Sequence, residues 1–180
     1  MLVTLVTFKS FLGSTSLDDT ILGTILNNAQ SVVERYIWRK LEEVSYTDKV
    51  FDWHGEQIFQ LPQYPVTELT KFQYRTGTTW SDVTDEYYLN GDTGEVRLPC
   101  TIIPRGFSIV RASFKAWYTT ATLPNDLLQA ILDIASMIVN KKGSEWIKRE
   151  KIDGSELEFS DATMSASTQS ILSSYCSYNV

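Results

Sequence analysis

Between Asp18 and Leu41 the apolar residues Leu22, Ile25, Leu26, Ala29, Val32, Val33, Tyr36 and Ile37 recur at steps of three and four, which places them on one face of a helix. Asp18 or Asp19 is placed to cap its first turn, and Arg35, Arg39 and Lys40 crowd the opposite end, where the helix dipole favours cations. So wide a stripe has to be covered. Upstream, Thr4 to Leu12 predicts a short helix with Thr4 as N-cap, Gly13 as its stop, and Leu5, Phe8 and Leu12 facing the long helix. Downstream, Pro124 opens a second long helix whose buried face is Leu127, Ile131, Ile134, Ala135, Ile138 and Val139, with Lys141-Lys142-Gly143 as its cationic last turn and stop. These two long helices are expected to pack together.

The period shortens between them. Val44 to Trp53 and Ile58 to Leu61 read as strands joined through a turn at His54-Gly55-Glu56, after which Pro62 and Pro65 interrupt the pattern, since proline donates nothing to a ladder. Further strands are expected at Leu69 to Arg75, Tyr87 to Leu89, Glu95 to Leu98 and Phe107 to Trp117, with Asn90-Gly91-Asp92-Thr93-Gly94 as a turn. Val110, Ala112, Phe114 and Ala116 alternate with Ile109, Arg111, Ser113 and Lys115. The fold class that follows is α+β: a helical core with a small antiparallel sheet inserted at about residues 44–118, in a domain spanning 1–160.

After Gly143 a hairpin is expected across Lys148 to Phe159, turning at Asp153-Gly154. Beyond Ser160 the chain is rich in Ser, Thr, Ala and Asp, so residues 161–180 read as a flexible C-terminal tail. Within it Ile171, Leu172 and Tyr175 stand at helical spacing. Two roles fit them equally: a short helix docked on the same domain, or a segment that orders on a partner.

Composition narrows the class. Of 180 residues 43% are apolar and 21% charged, as in ordinary globular chains, and the net charge of −6 argues against a dedicated nucleic-acid binder. The two cysteines, Cys100 and Cys176, are too few for a disulfide framework and read as free thiols made in a reducing compartment. The apolar N-terminus lacks a basic leader, and no run approaches the roughly 20 apolar residues that span a bilayer.

Catalytic constellations are missing from the sequence: no G-x-S-x-G, G-x-x-x-x-G-K-[ST] or G-x-G-x-x-G occurs, and the single histidine, His54, reads as a solvated turn residue. No catalytic residue, cofactor site or metal site is assigned. Asn90 to Glu95 lacks the alternating oxygen ligands and distal glutamate of a calcium loop. Neighbouring carboxylates, Glu42-Glu43 and Asp85-Glu86, read as solvated charges. The basic group Lys141, Lys142, Lys148, Arg149 and Lys151 reads first as cations at a helix C-terminus and secondly as a patch for phosphates or an acidic protein. The tryptophans Trp38, Trp53, Trp80, Trp117 and Trp146 divide between core and interface anchors.

Four stretches, taken in order, resemble the head-tail connector (adaptor) proteins of tailed bacteriophages. They are Thr4-Leu5 with Lys9 and Leu12-Gly13; Asp18-Asp19 with Leu22 and Glu34-Arg35-Tyr36; Leu61-Pro62-Gln63-Tyr64-Pro65-Val66; and Leu123-Pro124 with Asp126-Leu127 and Ala130-Ile131. Val110 to Tyr118 resembles the family's final strand, although the family often has glycine where Trp117 stands. The resemblance implies a structural subunit of the virion neck, made in the host cytoplasm and assembled as a ring, commonly of twelve copies, beneath the portal protein. It implies a stopper or tail-completion protein on the other side, double-stranded DNA passing through the channel without sequence-specific binding, and no membrane. On this reading Ile171, Leu172 and Tyr175 are the portal-binding residues of the tail, and Arg35, Trp38 and Arg39 are candidates for the subunit interface. The alternatives are a stopper or tail-completion protein of the same neck, and an enzyme of unknown type.

Overall fold

A computed structural model describes residues 2–13, 17–83, 87–98, 103–144, 149–152, 155–158 and 164–176. Outside them lie Cys100, Trp146, Lys148, Asp85-Glu86, Ser160 and the Asp153-Gly154 turn. The chain divides into two compact units, Met1–Trp38 with Thr120–Tyr178, and a second formed by Arg39–Thr119.

The first unit is helical. In α1 (Leu5–Leu12) the Thr4 side chain accepts from Thr7 N, and Gly13 ends the helix at φ 78°, as the sequence predicts. In α2 (Asp19–Ile37) Asp18 is the N-cap, its carboxylate accepting from Thr20 N at 2.8 Å. Lys9 meets Asp19 at 2.5 Å, so the last turn of α1 lies beside the first turn of α2. The covering helix is α3 (Asn125–Ser144), which packs on α2 and starts one residue after Pro124. Leu22, Leu26, Ala29, Val33, Leu127, Ile131, Ile134 and Ala135 are all buried, each large aliphatic side chain contributing about 1.5–3 kcal/mol. Ile138 and Val139, expected on the same face, are only half-buried.

A fourth helix, α4 (Ala166–Ser173), is capped by Ser165 and packs on α2 and α3 within this unit. The expected hairpin is present as β8 (Arg149–Ile152) and β9 (Ser155–Glu158), with Ile152 opposite Ser155.

The second unit holds two antiparallel sheets: β1 (Val44–Trp53), β7 (Gly106–Ala116), β3 (Val66–Thr76) and β4 (Thr79–Asp82) in that order, and β2 (Ile58–Gln60), β6 (Glu95–Arg97) and β5 (Tyr88–Asn90). β4 was not legible in the sequence. It is four residues long with a mixed pattern, and it exists because Thr76 and Thr79 close a tight hairpin through Gly77, at φ 64°. On one face of the larger sheet Phe51 and Tyr74 flank Val110, Lys49 and Phe72 flank Ala112, and Tyr46 and Leu69 flank Phe114. This face forms one core with Phe59, Val96 and Leu98 of the smaller sheet and its continuation.

The Leu61–Val66 stretch has a structural explanation. It wraps the β5–β6 turn: Leu61 N donates to Gly94 O at 2.9 Å, Val66 N to Gly91 O at 2.7 Å, and the Gln60 amide to Thr93 O. Three carbonyls of the turn are thereby committed to protein donors, and Tyr64-Pro65 is a cis peptide. A Cβ on Gly91 would stand 2.7 Å from the Val66 carbonyl oxygen. Gly91→Ala is therefore expected to destabilise the protein by about 1–3 kcal/mol, read as a lowered urea midpoint; an unchanged midpoint would mean that the loop yields freely.

Candidate functional site

The residues singled out from the sequence fall into different environments. Arg35 is exposed in the last turn of α2, but the helix stops four residues short of Leu41, because Trp38 takes a left-handed backbone, φ 59° and ψ 26°, with its N–H on Glu34 O. A residue with a Cβ pays roughly 1–2 kcal/mol for that conformation, which glycine adopts freely. The Trp38 side chain nevertheless stays 78% exposed.

Arg39 lies past the helix and is 3% exposed. Its guanidinium stacks 3.7 Å from the Tyr64 ring centroid and donates to Tyr64 O at 3.2 Å, while Lys40 N donates to Gln63 Oε1 at 3.1 Å. The expected helix-end cation is thus a clasp on the Pro62–Pro65 loop, so its guanidinium is turned inward within its own unit.

The three tail residues part company. Leu172 is fully buried within the helical unit, while Ile171 and Tyr175 are half-buried. The Tyr175 hydroxyl donates to the Asp126 carboxylate, 2.7 and 2.6 Å from its two oxygens, and the Cys176 thiol points to Tyr36 O at 3.6 Å. α4 therefore docks on its own unit.

In the basic group, Lys141 and Lys142 belong to the final turn of α3, and the hairpin register sets Arg149 opposite Glu158 and Lys151 opposite Glu156. His54 is exposed. Among the described residues no group of three or more His, Cys, Asp or Glu side chains is arranged to hold a metal ion, and no helix is long and apolar enough to cross a membrane.

Sequence reasoning missed a polar lattice on the solvent face of the four-stranded sheet. Its centre is Asp48, at φ 50° where the β1 register shifts between Tyr46 and Lys49. Lys71 Nζ lies 2.9 Å from its carboxylate and Arg111 Nε 3.7 Å away, while Asp48 N donates to Ser113 Oγ at 2.9 Å. Arg111 also donates to Gln73, whose amide donates to Asp82, and it sits over the Trp80 ring. No sequence period marks Asp48, because a bulge is set by pairing with a distant strand, here β7, whose Ser113 is 65 residues away.

The hydrogen bond from Lys71, with Arg111 and Ser113 adding to it, holds the Asp48 carboxyl below the ordinary carboxylate range. A depressed folded value gives stability that is present above the unfolded pKa and lost as pH falls through the folded one. Lys71→Met is expected to raise the Asp48 midpoint in a carboxyl NMR titration. An unmoved midpoint would remove Lys71 as its cause.

Exposed apolar side chains mark the remaining surface. Register aligns Ile58, Arg97 and Tyr88 across the three-stranded sheet, with Tyr88 65% exposed, and Phe107 is 81% exposed beside the Ser108 bulge. On the helical unit the exposed set is Val6, Phe11 and Trp38. These exposed apolar side chains lie on both units, where large hydrophobic groups are candidates for contacts with other proteins.

The comparisons agree at the level of fold. No protein-family model matches the sequence. No curated protein matches it either. Among solved structures, the chain is similar to one from the neck of an empty gene transfer agent (GTA) particle computed with C6 symmetry, with a TM-score of 0.59 and 18% identity over 99% of this chain and 91% of that one. A chain from the neck of the native particle computed with C12 symmetry gives 0.58 and 18%, over 98% and 89%. A chain from the native virion gives 0.52 and 19%, over 92% and 81%. At such identity the likeness is one of fold, and it spans both units.

Proposed function

We propose that this chain is a structural subunit of the neck of a phage-like particle, an adaptor that closes into a ring between portal and tail. The observation that carries the reading is the fold shared over 99% of the chain with a protein of a GTA neck. The sequence resemblance to head-tail adaptors supports the same role. A ring of twelve copies fits a neck computed with C12 symmetry. Each interface would be heterologous and close by rotation. Double-stranded DNA passes through the centre, and the chain's net charge of −6 suits passage better than grip. The working location is the virion neck, with assembly in the host cytoplasm.

Portal attachment is assigned to the half-buried Ile171 of α4 and Tyr175 just past its end, with Leu172 holding the helix in place. The test is co-sedimentation of the full chain with portal rings from the same source, followed by electron microscopy of the pellet. Near-stoichiometric binding with an added ring of density is the expected result. A chain that stays in the supernatant at every ratio would remove the adaptor role, and binding to isolated tails instead would move the chain to the stopper position.

A further inference from the structure

Trp38 breaks two local rules at once. A bulky residue takes the left-handed position that glycine fills without strain, and an indole is left 78% exposed although burying it would be favourable. Conflicts of this kind between local preference and observed structure concentrate at functional positions. The helix could end as well, or better, with glycine, so helix termination does not explain the tryptophan.

The ends of α2 are complementary. Beside Trp38, the exposed Arg35 sits one turn back on the same helix. At the other end, about 28 Å away for 19 residues, the first turn carries Asp18 and Asp19, and Lys9 draws the last turn of α1 alongside with Phe11 42% exposed. One end thus offers an aromatic anchor with a cation, the other an exposed aromatic with two carboxylates against one lysine. Because the two ends differ and lie far apart on one rigid helix, a chain cannot satisfy its own pair. A second copy can, and the contact is then head-to-tail, the type that closes into a ring when its rotation permits.

We infer that Trp38 is the intermolecular anchor of a head-to-tail contact between copies of this chain, seated with Arg35 against Phe11, Asp18 and Asp19 of the next copy's helical unit. This deepens the ring reading and rests on it for the identity of the occupant. Arg39 has no part in the contact, since its guanidinium is turned inward.

The discriminating variant is Trp38→Gly in the full chain, studied by thermal unfolding and by sedimentation velocity over a concentration series. Relief of the left-handed strain is expected to raise Tm by about 2–4 °C, while loss of the anchor weakens self-association about 30-fold or more. Arg35→Asp and Asp19→Arg are each expected to weaken association, and the double variant to recover most of the loss. A Trp38→Gly protein that associates like the wild type overturns the inference, as does one whose Tm falls, which would make the indole part of its own unit's packing. Failure of the double variant to recover overturns the pairing of these two ends. A wild-type chain that remains monomeric at all concentrations yet co-sediments with portal rings overturns this contact and leaves the neck reading standing; failure in both experiments removes both.

Discussion

Leu172→Ala is expected to cost about 2–5 kcal/mol of stability, a fall in Tm on the order of ten degrees, because it empties a fully buried leucine site between packed helices. α4 has eight residues, too few to hold helical shape by itself. Its order therefore depends on docking through Leu172 and Thr168, both fully buried, and on the Tyr175–Asp126 hydrogen bond. Ile171→Ser, at a half-buried site, is expected to cost under about 1.5 kcal/mol. Chemical denaturation of the two variants separates the docked helix from a free tail. Equal and negligible losses would return all three residues to the role of a segment that waits for a partner.

Arg39→Ala should be nearly as damaging, at about 3 kcal/mol. The substitution removes a charged hydrogen bond to Tyr64 O, worth about 1.5–3 kcal/mol, and a desolvated cation–π contact worth roughly 2. The two are not fully additive because they share one guanidinium. It also loosens the loop that wraps the β5–β6 turn. Arg39→Lys keeps the charge without the planar fork, so it should recover only part of the loss. A surface arginine of a subunit contact would behave oppositely, with unchanged Tm and weakened association. That outcome would take Arg39 out of the clasp and restore it to the interface.

Trp38 and Leu172 show why the candidate residues sorted as they did. Leu172 stands at helical spacing, which says that a residue belongs to a face without saying what covers it, and Trp38 follows the last residue of the long apolar stripe, where no period says how the helix ends. The Asp126 carboxylate that receives Tyr175 is 49 residues away, and Tyr64 lies 25 residues from Arg39. Distances of that kind leave no local trace. The polar lattice around Asp48 was illegible for the same reason, being assembled from four strands.

What the sequence determined by itself is the part governed by short-range physics. The caps at Thr4 and Asp18, the proline ahead of α3, the glycine after α1, the alternation along β7 and the Asn90–Gly94 turn each follow from backbone preferences within a few residues. Those preferences set the α+β class and the position of the sheet block. The tertiary structure decided the rest: the splitting of the strands into two sheets, the end of α2 at Trp38, the inward turn of Arg39 and the docking of α4. Each of these depends on which surfaces meet after collapse, and burial is a property of the pair of surfaces rather than of either stretch of chain.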